Sequence, residues 1–318
     1  MMTKPMALAT RTSPLAMIQT RDVQARLAAA TGRDSEAGFP ILGLQTTGDR
    51  ITDRALLAAG GKGLFTKELE TALLSGEARF AVHSMKDVPT RLPEGLEIAA
   101  ILQREDPRDV LLTRDGTSRI EDLPHGAVLG TASIRRQAQA LALRPDLKVV
   151  LLRGNVDTRL GKLRSGEVDA TFLARAGLKR LGRAEANREP LDPQSVLPAP
   201  AQGCVGIEIR SDDDEAREIL SRIDHRASHV CALAERGFLA ALDGSCRTPI
   251  AAYARLEGST LHLVGEALSP DGTQRWRRET SDFMGEIMPA EALRIGLALG
   301  SEVKREGGEA LARAVAET

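Results

Sequence analysis

Aromatic residues are scarce in this chain: one tryptophan, Trp276, one tyrosine, Tyr253, and six phenylalanines among 318 residues. A nucleic-acid reader needs aromatic platforms beside its basic residues, on which bases stack, so that class is disfavoured. Cysteine is nearly as rare. Cys204, Cys231 and Cys246 make an odd count with no framework spacing, which points to a reduced protein rather than a disulfide scaffold. Long apolar runs are missing as well. No stretch approaches the ~20 residues of a membrane span, and residues 1–10 hold one lysine and no apolar core of signal-peptide length. The expectation is a chain that works in the cytoplasm, away from membranes. Nor does one sign of charge dominate: the formal net charge is −1, so no global field draws the chain to an anionic surface. Lysine itself is depleted, with eight lysines against thirty-five arginines. A GC-rich coding bias toward Arg and Ala is the plain explanation. The functional one is a supply of planar, permanently charged forks suited to carboxylates or phosphates, and local context must pick out the arginines that serve.

What is present is enough apolar content, 42%, to bury more than one core, and a length that fits two or three domains. Residues 7–10 read as a strand. Ser13 then stands as an N-cap with Pro14 at the first helical position, Leu15, Ile18, Val23 and Leu27 mark an apolar face, and Gly32 ends the helix. A strand over 41–46, a charged, glycine-bearing segment over 48–63 that reads as a mobile lid, a helix over 66–75 and a strand over 79–83 follow. In the middle, short apolar strands at 128–131, 149–152 and 170–173 are each followed by a helix, at 133–143, 156–164 and 176–181. That alternation predicts a parallel α/β sheet. Beyond Asp224 the pattern changes to a helix over 232–242, strands at 249–256, 260–267 and 275–280, and a closing helix from Pro289. The expected architecture is α/β: one lobe from 1–103 with 201–222, a second from 104–200, and a small C-terminal α+β domain over 223–318. A cleft between the lobes is the natural ligand site.

Several segments carry chemistry. His83-Ser84-Met85-Lys86-Asp87 ends a predicted strand, where open α/β sheets bind ligands. Asp87 beside Lys86 taken alone is a surface ion pair worth little. Its functional reading is a carboxylate that stabilises a cation, kept ionised by a neighbouring positive charge. Gly130-Thr131-Ala132-Ser133-Ile134-Arg135-Arg136 runs from a strand into a helix N-terminus. Such ends favour anions, whereas two cations in the first turn disfavour the helix itself, so an external anion is the better account of them. Arg153 and Arg159 flank a second junction of this kind, and Arg11-Thr12-Ser13 forms a third. Three basic junctions imply a cleft lined for a polyanionic organic ligand. Gly60-Gly61-Lys62-Gly63 fails the phosphate-loop pattern, because Gly63 stands where Ser or Thr is required; a flexible lid carrying Lys62 and Phe65 fits better. Cys246 lies in a Gly/Ser/Pro turn beside Arg247, where its thiolate is favoured and accessible. His225 and His229 have helical ligand spacing but no completing partner, so no metal site is expected.

Taken in order, these segments resemble the porphobilinogen deaminase family from end to end: residues 9–16, 60–68, 81–89, 104–109, 130–137, 153–160, 176–182, 200–208 and the turn holding Cys246. The resemblance implies a three-domain fold with two lobes like those of type II periplasmic binding proteins. Its third domain would carry a dipyrromethane cofactor on Cys246 through a thioether. The implied activity is that of a hydroxymethylbilane synthase, a transferase of haem and tetrapyrrole biosynthesis. It adds four porphobilinogen units in turn to the tethered primer, loses ammonia each time, and releases 1-hydroxymethylbilane. In such enzymes the aspartate matching Asp87 is catalytic. Cys246, Lys86, Thr131, Ser133, Arg135 and Arg136 would hold the cofactor. Arg11, Ser13, Gln19, Lys62, Phe65, Arg153, Arg159 and Arg180 would bind substrate or the growing chain. The resemblance further implies a cytoplasmic monomer that hands its product to uroporphyrinogen-III synthase. Departures are Ser245 where many relatives have Gly, Arg247 where some have Gln, and Arg175 where some have an apolar residue. A two-lobed solute-binding protein would also explain an anion cleft, but not the third domain, Cys246, or Asp87 placed beside Lys86.

Overall fold

The computed structural model describes residues 5–50, 63–242, 249–285 and 288–316. The first elements are β1 (Leu8–Arg11), α1 (Pro14–Thr31), α2 (Ser35–Gly38), β2 (Ile41–Leu44), α3 (Thr47–Arg50), α4 (Lys67–Leu74), β3 (Phe80–Ser84) and β4 (Leu96–Ile101). Next come β5 (Asp109–Thr113), β6 (Val128–Gly130), α5 (Ile134–Leu143), β7 (Lys148–Val150), α6 (Val156–Arg164), β8 (Ala170–Ala174) and α7 (Arg175–Arg180). The chain closes with β9 (Val205–Arg210), α8 (Asp214–Ser221), α9 (Arg226–Ala241), β10 (Ile250–Glu257), β11 (Thr260–Leu268), β12 (Arg275–Phe283) and α10 (Pro289–Ala316). Two compact units result, residues 1–105 with 203–229, and residues 106–202 with 230–318.

The first unit is a sheet of order β2-β1-β3-β9-β4 with helices on both faces. Ser13 caps α1 by accepting the Ala16 N–H, and Gly32, at φ 69°, closes it in the left-handed conformation that glycine adopts without strain. The inward stripe of α1, Val23 and Leu27, packs with Leu8, Phe80, Val82 and Ile207 on one face. Leu69 and Leu73 of α4 cover Ala9 and Ala81 on the other.

In the second unit a sheet of order β5-β8-β6-β7 is followed by an antiparallel meander, β10-β11-β12. The meander has its own core, where Val230 and Phe238 of α9 and Ile295 and Val303 of α10 meet Ile250, Leu261 and Leu263. The α/β class with a C-terminal α+β part is therefore as the sequence pattern indicates. Neither α/β sheet is purely parallel, however: β9 runs antiparallel to β3 and β4, and β5 antiparallel to β8. Both strands enter their sheets without a βαβ crossover, so the rule that makes such units parallel does not bind them. Helix α9 also begins before position 232. The His225 ring accepts the Ser228 N–H at 3.3 Å, which lets a polar first turn form ahead of the apolar run.

Candidate active site

In the first unit, β1 and β3 are adjacent parallel strands, so their C-terminal ends bring Arg11 close to the turn Met85–Asp87. Three contacts fix that turn. Ser84 Oγ donates to the buried Gln19 Oε1 at 3.0 Å, and the Met85 N–H donates to the Cys204 carbonyl at 3.1 Å. The Met85 side chain fills space that only glycine leaves open, since a Cβ at Gly206 would lie 2.0 Å from its sulfur. The turn leaves Lys86 exposed and Asp87 partly so. Arg11 Nη1 stands 3.6 Å from Asp87 Oδ2. Its Nε donates to Asp49 Oδ2 at 3.2 Å and its Nη2 to Asp49 Oδ1. The Phe65 ring covers the guanidinium at 4.3 Å, a cation–π contact. Phe65 in turn lies on Gly48, where a Cβ would come within 2.3 Å of the ring.

Burial alone would push the Arg11 guanidinium down, but the Asp49 hydrogen bonds and the charges of Asp87 and Asp49 outweigh it and hold it above its ordinary value. Burial likewise pushes Asp49 up, and hydrogen bonds from Arg11 and Thr46 bring it below the usual carboxylate range. One guanidinium thus faces two carboxylates. Asp49 is saturated by Arg11 and by Thr46, whose hydroxyl donates to it at 2.7 Å. Asp87 is the more exposed of the two, 31% against 18%, so it is the carboxylate left to meet a developing positive charge. Sequence reasoning misses Asp49, because it opens a segment that reads as a lid and carries no motif. Ser13 spends its hydroxyl on the α1 cap. Lys62 and most of the expected lid lie outside the described residues.

In the second unit, β6 leads into α5, whose cap is Ser133. Thr131 Oγ1 accepts the Ser133 N–H at 3.0 Å. Arg135 and Arg136 are each only 5% exposed and turn inward onto the fully buried Asp109. Arg135 Nη2 donates to it at 2.8 Å, and Arg136 Nε and Nη2 at 3.0 and 2.8 Å. Gln202 Nε2 adds a fourth donor at 2.8 Å. Burial pushes Asp109 up, and the two guanidiniums overwhelm it, holding the carboxyl far below its usual range. Burial, aided by the Arg136 charge, holds Arg135 below its ordinary value against the pull of Asp109. The anion that two adjacent arginines call for at this helix end is therefore supplied by the chain itself. One donor remains: the Arg135 Nε–H is buried with no hydrogen-bond partner among the described residues. An orphan cationic donor near a helix N-terminus suits an anionic oxygen, so these residues fit a carboxylate-bearing group.

Arg153 precedes α6, and Arg159 Nε donates to the Gly154 carbonyl at 2.9 Å. Arg180 is the last residue of α7. All three are half-buried. Arg175 finds its carboxylate in Asp106, at 2.8 Å, shared with Arg108 at 2.7 Å. Burial raises Asp106, but the Arg108 hydrogen bonds and charge, with Arg175 behind them, take it from 3.8 down to about 2. A carboxyl depressed on folding stabilises the protein above its unfolded value, and that contribution is lost as pH falls toward the folded one. Thermal melting followed from pH 4 to 2 should therefore drop more steeply in the parent than in Asp106→Asn; parallel curves would remove Asp106 from the acid response. His225 and His229 are engaged by Ser228 and Asp224, each at 2.9 Å. Cys204 and Cys231 are buried, and Cys246 lies outside the described residues.

Comparison with known proteins extends over nearly the whole chain. Residues 6–218 match the family model described as porphobilinogen deaminase, dipyromethane cofactor binding domain, and residues 229–305 match that of the porphobilinogen deaminase C-terminal domain. A porphobilinogen deaminase of Caulobacter vibrioides is 50% identical over 315 residues, covering 96% of this chain and 97% of that protein. One from Phenylobacterium zucineum is 50% identical over 320 residues, 98% and 99% of the two chains. One from Paracoccus denitrificans is 52% identical over 270 residues, 85% and 86% of the two chains. Among solved structures, the BvgS periplasmic VFT2 domain of Bordetella pertussis matches with a TM-score of 0.40 at 19% identity, covering 68% of this chain and 86% of that one, a distant likeness.

Proposed function

The chain belongs to the porphobilinogen deaminase family, and from that premise we propose that Asp87 carries the chemistry and that Cys246 holds the primer. The enzyme is a hydroxymethylbilane synthase: it condenses four porphobilinogen molecules stepwise onto a covalently bound dipyrromethane, with loss of ammonia and final release of 1-hydroxymethylbilane for tetrapyrrole synthesis.

The observation that carries the Asp87 assignment is its position, a partly exposed carboxylate at a strand end, 3.6 Å from an Arg11 otherwise committed to Asp49. Porphobilinogen carries its leaving nitrogen on an aminomethyl group, and departure of ammonia leaves a cation conjugated with the pyrrole. Asp87 stabilises that charge and accepts the pyrrole N–H as a hydrogen bond, the position from which it can hold the proton. Arg11 places a positive charge 3.6 Å from Asp87, and its hydrogen bonds to Asp49 keep it from collapsing fully onto Asp87. Gln19, through Ser84, holds the strand end, and Phe65 covers Arg11; substrate contacts from Ser13, Lys62 and Phe65 are what the family resemblance implies. Substrate and product bear carboxylates on every ring, which Arg153, Arg159 and Arg180 of the second unit are suited to bind.

When bound, the dipyrromethane supplies the nucleophilic pyrrole carbon and makes each condensation effectively intramolecular. Its carboxylates suit Lys86, Thr131, Ser133 and the pair Arg135 and Arg136, whose orphan Nε–H is the cationic donor on offer. Asp109 sets the orientation of both guanidiniums. Among the described residues Cys204 and Cys231 are buried, which supports Cys246, the cysteine the family resemblance points to, as the thiol that carries the tether. The proposal extends to the division into residues 1–103 with 201–222, 104–200 and 223–318, and to a cytoplasmic monomer that passes its product to uroporphyrinogen-III synthase. No described helix is long and apolar enough to cross a membrane.

Mass spectrometry tests the tether. The tryptic peptide 237–247, which contains Cys246 and no other cysteine, should carry a mass excess of two linked pyrrole units in the purified enzyme. Absence of any adduct, even after incubation with porphobilinogen, would overturn the assignment to Cys246.

A further inference from the structure

The α4 face of the first sheet is apolar, built from Ala9, Leu69, Ala72, Leu73, Ala78, Ala81 and Leu96. Ionisable groups interrupt it. His83 of β3 and Glu208 of β9 lie on neighbouring antiparallel strands, with Ala81 opposite Glu208 and His83 opposite Gly206. The two-residue alternation of strands puts both side chains on this face. Their side chains are 3% and 0% exposed, and His83 Nε2 stands 2.9 Å from Glu208 Oε2. Glu208 Oε1 is buried with no hydrogen-bond partner among the described residues. Glu70 of α4, also buried, completes the cluster. Burial and, behind it, the Glu208 charge push the Glu70 carboxyl up, against the opposing pull of Thr66 and His83.

Such a cluster is a poor way to stabilise a fold. Removing a histidine and two carboxyls from water costs more than their mutual attraction returns, and well-packed apolar side chains of the same volume serve as well or better. What the pair provides instead is direction. A hydrogen-bonded pair accepts one lateral register of β3 on β9, where apolar contacts accept a range. That register decides where Ser84 and Met85 fall, because Ser84 pairs with Val205 and Met85 seats on Gly206. It thereby decides where the turn ending at Asp87 points.

We propose that His83 and Glu208 are positioning residues, a buried polar pair that locks the end of β3 and so aims the Asp87 carboxylate. The proposal rests on the assignment of Asp87 as the chemical group. Three variants separate the two claims: His83→Leu combined with Glu208→Met, Glu208→Gln alone, and Asp87→Asn. Each is purified and measured for cofactor content by mass, melting temperature, and kcat and KM for porphobilinogen. The apolar double variant should keep its cofactor and its melting temperature yet lose at least about tenfold in kcat, with KM within about twofold of the parent. Glu208→Gln should shift kcat in the same direction by a smaller factor. If both retain kcat within twofold, the pair is ordinary core and the proposal fails. It fails equally if kcat falls only in proportion to lost cofactor or lost melting temperature. Near-parental turnover in Asp87→Asn would sink the assignment of Asp87 itself. Loss of turnover there with parental kcat in the other variants would sink the positioning role alone.

Discussion

Asp87→Asn is expected to lower kcat by about 10²–10⁴-fold while leaving the fold and the bound cofactor in place. The substitution keeps the shape of the side chain and removes only its charge and its basicity. Little in the fold depends on either: Asp87 is 31% exposed, and its charge contact with Arg11 spans 3.6 Å. Arg11 does not lose its anchor, because Asp49 still takes its Nε and Nη2. The damage is confined to charge that develops during reaction. An amide cannot match a carboxylate facing a cation, nor can it hold the pyrrole proton. KM for porphobilinogen should change much less than kcat, since the substrate's carboxylates are assigned to other residues. The measurement is steady-state turnover on protein whose cofactor content has been confirmed by mass. Turnover within about threefold of the parent would remove Asp87 from the mechanism.

The largest effect on stability should come from Asp109→Ala, about 3–5 kcal/mol. Asp109 is fully buried and accepts from Arg135, Arg136 and Gln202. Without it, two guanidiniums remain in the interior side by side with their charges uncompensated. Neither can swing to water, because Phe172 and Leu197 carbonyls and Gln139 hold the remaining donors in place. The loss should propagate further, since Gln139 also donates to Glu266 at 2.6 Å and so links α5 to the C-terminal sheet. A fall in melting temperature on the order of 10 °C is expected for a unit of this size. Asp109→Asn, which keeps an acceptor but no charge, should fall between the two. A melting temperature within about 2 °C of the parent in Asp109→Ala would show that the arginines are neutralised by some other group.

Much of this site is legible from residue types alone. Ser13-Pro14 and Ser133 mark helix starts because the demand for an N–H acceptor at a helix end is local and has few solutions. Arg175, which stands out in the sequence only as a departure from its relatives, takes Asp106 of the chain itself as its carboxylate. Asp49, by contrast, has no local signature. Its role exists only because β1 pairs with β2, so that Arg11 lies opposite Leu44 and the helix after β2 reaches the guanidinium. Asp109 belongs to a segment that carries the family resemblance, yet nothing nearby in sequence shows that its carboxylate is the one that Arg135 and Arg136 face.

Strand and helix periodicity was thus sufficient for the α/β class, and the order of the motifs for the family, because each depends on short-range chemistry that the chain writes out in order. The partnering of charge was decided by tertiary structure. A guanidinium binds whichever anion the folded backbone brings within reach, and for Arg11, Arg135, Arg136 and Arg175 those anions stand 38, 26, 27 and 69 residues away in sequence. Strand order sets such distances, and β9 shows why sequence alone cannot supply them: it joins β3 and β4 only after the chain has left to build another sheet. Coulomb attraction depends on separation in space, and only the closed sheet defines that separation.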